Sequence, residues 1–337
     1  MSNRPSFEVG ALSVLRPAGD EAVVLTELSW VLLIVGLLIF IGMMVLLGFS
    51  LRRDRPQLPA AWLLMGGGIV FPVVVLTGLL LYGTARTAGL DRARPPDALM
   101  VSVTGHMWWW EVRYRGADGR QHGDTGIVLA NELRIPAGRP VLLTLDSADV
   151  IHSFWVPALG GKMDTVPGRS NRLLITAREP GVYRGVCAEY CGIQHTRMGM
   201  VVVVQPPQEF QEWLARQARP AAAATGDAAL RGRALFMSEG CAACHTVRGL
   251  TDVQDAREVP AAAGATSAAA ATPRGPDLTH IGSRLELGGG VLRNHRGAMS
   301  HWIANVQGVK SGARMPSFWH LDEARLNDLS TYLEQLR

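Results

Sequence analysis

Two short stretches of this chain hold side chains whose types and spacing can do redox chemistry. The first is "CAEYCGIQHTRMGM", residues 187–200, where Cys187 and Cys191 are four apart, His195 follows at four and Met198 at three more. Two thiolates, an imidazole and a thioether form a soft donor set, and soft donors select copper. A closed structural zinc site rarely uses methionine. The loop lacks a distant ligand, and His152 in "DVIHSFWVP" is the best placed, at the start of a strand 35 residues before Cys187. Taken singly, each residue has a plainer reading. A strand histidine is commonly hydrogen-bonded, a methionine such as Met200 is commonly packing, and a close cysteine pair can form a loop disulfide in an oxidising compartment.

The second stretch, "ALRGRALFMSEGCAACHTVRG", places Cys241, Cys244 and His245 in C-x-x-C-H spacing. That is the attachment signal of a c-type haem: both thiols bond to the haem and the adjacent imidazole sits under its iron. A six-coordinate haem needs a second axial ligand, often methionine. Met315 in "SGARMPSF", ahead of the terminal helix, is the expected one, and Met299 reads as packing. His280, His295, His301 and His320 read as solvent-facing or hydrogen-bonded.

These residues must be positioned by a chain of 337 residues, enough for two ordinary domains and more. The four cysteines fall into the two close pairs above, each with a histidine just downstream, which is no disulfide framework. A formal charge of +4 is no nucleic-acid signature. Apolar content of 48% is high for a soluble protein. Its cause is visible in two uncharged runs, 28–49 and 58–83. The first, at helical rise, covers about 33 Å, enough for a bilayer core. Arg52, Arg53 and Arg55 lie between the runs, and positive charge marks the cytoplasmic side. Both termini and residues 84–337 are therefore expected outside, on the periplasmic face of a bacterial inner membrane or its equivalent. No signal peptide is visible in the first twenty residues, which leaves two routes: an uncleaved first span as the export signal, or a processed precursor.

From about 98 to 205, short β-rich runs alternate with Gly, Pro and Asp, the pattern of an all-β sandwich or barrel. Helical period returns in "PPQEFQEWLARQAR", where Phe210, Trp213, Leu214 and Gln217 share a face. "RPAAAATGD", 219–227, reads as a linker. In the terminal helix Leu326, Leu329, Leu333 and Leu336 form an apolar stripe. The Ala-rich segment 252–273 has no recurring apolar face and reads as an insertion in the haem domain.

The motifs "GHMWWWEVRY", "IHSFWVPALGGKMDTVPGRSNRL" and "CAEYCGIQHTRMGM", behind two spans, resemble subunit II of cytochrome c oxidase over roughly residues 25–205. The C-terminal part resembles the oxidases whose subunit II carries its own cytochrome c. The resemblance implies a membrane-anchored, multi-domain chain: a two-helix transmembrane anchor (1–90), an all-β cupredoxin domain (91–206), a helix and linker (207–225) and an all-α class I cytochrome c domain (226–337). It implies a binuclear copper A centre bridged by Cys187 and Cys191. His152 and His195 would each bind one copper, Met198 would be a weak ligand, and Glu189 would give its backbone carbonyl. The Glu189 carboxylate would bind magnesium at the interface with subunit I. Pro276 and Leu278 would pack on the haem. Trp108, the first aromatic after G-H-x, would be the exposed tryptophan through which electrons enter, while Trp109 and Trp110 read as core; Met107 and Trp109 depart from the residues common there.

Implied partners are subunit I with haem a and copper B, subunit III, membrane lipid, and a cytochrome c or bc complex as donor. A flexible tether to the haem domain would raise the effective donor concentration to about millimolar. The copper subunit of a nitric oxide reductase would carry a similar loop and stands as the alternative. A free-standing membrane-anchored electron carrier or copper-storage protein is the reading from another class.

Overall fold

The computed structural model describes residues 12–52, 59–90, 95–115, 126–251 and 275–337. Arg53, Arg55 and the insertion expected at 252–273 lie outside the described residues. The first apolar run forms α1 (Asp20–Ser50). The second forms a π-helical stretch, Trp62–Val70, continued by α2 (Phe71–Thr87). Both are long and apolar enough to cross a membrane. Large apolar side chains such as Leu38 and Leu81 are exposed along them, as lipid allows and water does not. The Tyr82 hydroxyl donates to Glu27 Oε1 at 2.8 Å and Arg86 pairs with the other oxygen, tying the two helices together.

α1 begins before the apolar run because its first turn is seated on the β domain. Gly19 N donates to the Ala158 carbonyl at 3.0 Å and Asp20 N to that of Thr176 at 3.0 Å. Gly19 approaches so closely that a Cβ there would fall 2.1 Å from the Leu159 oxygen.

The β domain has ten strands: β1 (Leu99–His106), β2 (Trp109–Arg115), β3 (Val128–Ala130), β4 (Glu132–Pro136), β5 (Val141–Ser147), β6 (His152–Trp155), β7 (Met163–Thr165), β8 (Asn171–Ile175), β9 (Gly181–Cys187) and β10 (Gly199–Gln205). They form two sheets, ordered β3-β2-β1-β5-β8 and β4-β10-β9-β6-β7. The β1–β5 and β10–β4 pairs are parallel, so this is a mixed sandwich. Alternate residues face inward, among them Val101, Val103, Trp110 and Leu143 from one sheet and Phe154, Val202 and Val204 from the other.

Strand β10 departs from alternation: "GMVVVV" is buried throughout. Met200, Val202 and Val204 belong to the sandwich core. Val201 and Val203, with Val182, form a second apolar patch covered by Leu285 of the C-terminal domain. An unbroken apolar run marks a strand covered on both faces, and here the second cover is another domain.

Helix α3 (Pro207–Gln217) buries Phe210, Trp213 and Gln217 and packs Leu214 on the sandwich, as its period predicts. The chain then enters the helical domain: α4 (Asp227–Ser238), short strands β11 (Glu286–Leu287) and β12 (Leu292–Arg293), α5 (Arg296–Ala304), α6 (Val306–Val309) and α7 (Glu323–Gln335). Leu329, Leu333 and Leu336 are buried and Leu326 packs on the same core, each full burial worth about 2 kcal/mol. α4 and α7 touch at Gly232, where a Cβ would sit 2.0 Å from the Asp328 oxygen. The segment expected to be a free linker lies along this domain instead: Ala221 and Ala224 pack on its core, and Ala221 N donates to the Arg248 carbonyl.

Candidate metal centre and haem site

Strand β9 ends on Cys187 and the chain returns through a loop to β10. Cys187 N donates to the Met198 carbonyl at 3.0 Å, closing that loop, and Ala188 N donates to the Ser153 carbonyl at 2.9 Å, fixing it to β6. Because β6 lies beside β9, with Phe154 opposite Cys187, His152 arrives next to the loop. Its ring is fully buried and needs Gly105 beside it, where a Cβ would fall 2.7 Å from the imidazole.

The donor atoms converge around the two sulfurs. Cys187 Sγ lies 3.8 Å from Cys191 Sγ, 4.0 Å from His152 Nδ1 and 3.2 Å from the Glu189 carbonyl. Cys191 Sγ lies 3.7 Å from His195 Nδ1 and 3.8 Å from Met198 Sδ. His152, Cys187 and Cys191 place their ligand atoms within 4.8 Å of one another. Both thiols are free, so the loop disulfide that sequence left open is absent. The thiols titrate as a pair: the hydrogen bond between them pulls Cys187 well below the usual thiol range and pushes Cys191 up. Holding both as thiolates needs positive charge between them, which a metal supplies. Two sulfurs, two imidazoles, a thioether and a carbonyl exceed the four donors of a tetrahedral zinc site, and their softness suits copper. The residues therefore fit a pair of copper ions.

Asp149, which sequence reasoning missed, orients His152. Its Oδ1 accepts from His152 Nε2 at 2.8 Å, and it also accepts from the backbone N–H of Met107 and Val150, both at 2.8 Å. Burial raises the Asp149 pKa, but the bond from His152 and the two amides outweigh it and hold the carboxylate below its usual range. With Nε2 carrying the proton, Nδ1 is left bare toward the sulfurs. The only sequence signal was an aspartate three residues before a candidate ligand.

Trp108 requires a correction. The resemblance implies an exposed ring, yet Trp108 is 9% exposed. Its indole Nε1 donates to the Cys191 carbonyl at 2.9 Å. The C-terminal domain covers it: a Cβ on Gly312 would lie 3.5 Å from the indole, and Lys310 Nζ donates to the Trp108 carbonyl at 2.7 Å. Trp110 is fully buried, and half-buried Trp109 stacks on His106 with centroids 4.3 Å apart. The Glu189 carboxylate is half-exposed, 3.8 Å from Lys162.

The haem motif follows α4. Gly240, at φ 75°, turns the chain into a short helical turn, Cys241–Ala243, and His245 N donates to the Cys241 carbonyl at 3.0 Å. His245 Nδ1 donates to the Pro276 carbonyl at 2.7 Å, so Nε2 is the bare nitrogen. Burial lowers the His245 pKa and favours the neutral ring that binds iron. Gly275 permits the approach, since a Cβ there would sit 2.8 Å from the imidazole. Cys241 and Cys244 are both free thiols. Bare Nε2 and two half-exposed thiols fit a covalently held haem. Met315 and Leu278 are half-buried against the domain core that Cys241 also joins, whereas Met299 is buried within α5. His280 bonds to the Arg219 carbonyl, His295 caps α5 and His320 bonds to Glu239, while His301 is exposed.

Comparison with known proteins agrees with both halves. Residues 99–205 match the family described as cytochrome c oxidase subunit II, periplasmic domain, and residues 229–337 match cytochrome c. Cytochrome c oxidase subunit 2 of Alkalihalophilus pseudofirmus is 31% identical over 273 residues, covering 80% of this chain and 69% of that one. The Bacillus subtilis protein of the same name is 28% identical over 97% of this chain and 92% of its own. The solved periplasmic domain of cytochrome oxidase subunit II from Bradyrhizobium japonicum is 28% identical, covers 36% of this chain and 95% of that one, and superposes with a TM-score of 0.33. With a copper-loop domain and a C-x-x-C-H domain behind two apolar helices, this chain belongs to the cytochrome c oxidase subunit 2 family, in the form that carries a cytochrome c domain of its own.

Proposed function

We propose that the chain is the electron-input arm of a respiratory oxygen reductase, taking electrons at a covalent haem c on Cys241, Cys244 and His245 and passing them to a binuclear copper A. From there they would reach haem a of subunit I, where oxygen is reduced and protons are pumped. The single observation that carries this reading is the continuity of the two sites: Trp108 hydrogen-bonds to the Cys191 carbonyl and lies under the haem-bearing domain. When bound, the two metal groups supply reversible one-electron chemistry; the protein supplies their positions.

The ligand set would be Cys187, Cys191, His152, His195, Met198 and the Glu189 carbonyl. Loop closure from Cys187 to Met198 and the buried surroundings hold these donors rigidly, which keeps reorganisation on electron transfer small. Trp108 would be the transfer residue between the domains. Met315 would be the second axial ligand, with Pro276 orienting His245 and Leu278 beside the ring. The Glu189 carboxylate would hold magnesium toward subunit I. Arg52 and its neighbouring arginines support a cytoplasmic inter-span loop, with both redox domains on the outer side of the inner membrane. The domains would divide at about residues 90, 206 and 225, as composition suggests. Subunit III and a cytochrome c or bc complex complete the expected partners.

Purifying the chain with its associated subunits tests this. Reduced donor should reduce the haem first and the copper band second, with oxygen consumed. Nitric oxide consumption without oxygen uptake would replace the reading with the reductase alternative. A chain that purifies with no multi-span partner would point to a free carrier.

A further inference from the structure

The helical domain is bolted to the copper loop rather than hung beside it. Two of its segments, 285–290 and 308–312, lie on the β domain. Leu285 N donates to Glu132 Oε2 at 2.9 Å, and Gly199 N donates to the Gly289 carbonyl at 2.8 Å. Gln194 Nε2 donates to the Ser311 carbonyl at 2.8 Å, and Arg197 donates to that of Val309. Arg184 pairs with Glu286 at the same seam. The apolar face of Val182, Val201 and Val203 closes it under Leu285.

Lys310 sits at the centre and is 4% exposed. Its Nζ donates to three backbone carbonyls: Trp108 at 2.7 Å, Arg197 at 2.8 Å and Gly288 at 2.6 Å. The first is on the β1–β2 turn, the second on the copper loop and the third on its own domain. Among the described residues no carboxylate pairs with it. A buried amine with no carboxylate paired to it is costly, so it persists only where its donors are fully used. Here all three N–H bonds of an ammonium are accounted for, and each ties a different segment. Burial pulls the Lys310 pKa down to about 7, opposed by the nearby Cys191 sulfur and reinforced by Arg197.

We propose that Lys310 is a positioning residue that clamps the haem domain over Trp108, so that the copper site takes its electron from this chain's own haem and is closed at that face to outside donors. The proposal rests on the functional reading above. It deepens that reading by replacing a diffusing tether with a fixed seat. One electron leaves the haem iron, oxidising it by one, and arrives at the copper pair, reducing it by one, with no proton moved. A soluble donor protein cannot reach Trp108 while the 308–312 segment covers it, so it must deliver to the haem.

The test uses the full chain with its cofactors and the Lys310→Met variant. Peptide-resolved hydrogen exchange should show protection at 105–110, 286–290 and 308–312 falling by about tenfold or more, because three charge-assisted bonds are lost. Haem spectrum and copper content should not change. Haem-to-copper transfer followed after flash reduction should be independent of viscosity in the parent. In the variant it should be slower by about tenfold and viscosity-dependent, since the domain must now find its seat. Unchanged seam protection with viscosity-independent transfer in the variant overturns the clamp. If the variant also loses protection in α7, which packs within the haem domain, Lys310→Gln is read the same way, and an intact seam there overturns the clamp equally. A parent lacking copper or haem would sink the functional reading instead, and the exchange measurement would still decide the seam.

Discussion

Asp149→Asn separates the role of a carboxylate from that of its shape. Asp149 accepts three hydrogen bonds: His152 Nε2 and Val150 N on Oδ1, Met107 N on Oδ2. An asparagine offers one acceptor oxygen and one donor group in the same outline. If its oxygen faces His152, the amide N–H₂ meets the Met107 N–H and leaves two donors opposed. If its oxygen faces Met107, the N–H₂ meets Nε2, and the imidazole relaxes by moving its proton to Nδ1. That is the nitrogen aimed at the sulfurs, so the copper ligand is lost. Either way one buried donor goes unpaired, at about 1–3 kcal/mol, and a charge-assisted bond becomes neutral. At about 1.4 kcal/mol per tenfold, copper affinity should fall roughly 10- to 100-fold, which is the usual scale for an outer partner of a metal-bound histidine. The assay is titration of the copper-free full chain against a chelator of known affinity, with haem content as the internal control. Copper affinity within about twofold of the parent would refute the argued tautomer control, because the lost bond alone exceeds that change.

Other substitutions report on other parts. Met315→Leu should convert the haem to a five-coordinate or differently ligated state, visible in its optical spectrum, while Met299→Leu should leave the spectrum unchanged. The opposite pattern would move the axial ligand to α5. Glu239 bonds to His320 at 2.9 Å and to Arg325 at 2.6 Å, and the first of these chiefly lowers its pKa from 4.5. Its contribution to stability is therefore present above the unfolded value and lost as pH falls through the lower folded one. Thermal melting followed in the haem band between about pH 5 and 3 should show a shallower acid loss in Glu239→Gln than in the parent, and parallel curves would reject the pairing.

Much of the copper site was readable because its chemistry is local. Cys187, Cys191, His195 and Met198 occupy twelve residues, and one loop brings them together. His152 was accessible because strands that end side by side present their termini to the same place. The terminal-helix leucines and the face of α3 followed from period alone. What sequence could not supply is whatever depends on the meeting of two domains. Trp108 looks like a surface ring until the segment around Gly312 is laid over it. The valines of β10 carried a signal in plain view, since five apolar residues without alternation need cover on both faces, but the sequence does not say by what. Lys310 has no signature at all, because its partners are main-chain oxygens common to every residue. The linker misled for the same reason: alanines with no period still packed along a domain surface formed elsewhere.

The copper centre requires that the Cys187 and Cys191 thiolates gather metal rather than bond to each other. Metal analysis of the full chain, freed of other subunits, should give two copper ions for each covalent haem iron, no zinc, and Cys187 and Cys191 protected from alkylation until the copper is removed. Zinc in place of copper, or a Cys187–Cys191 disulfide in the loaded protein, would contradict it.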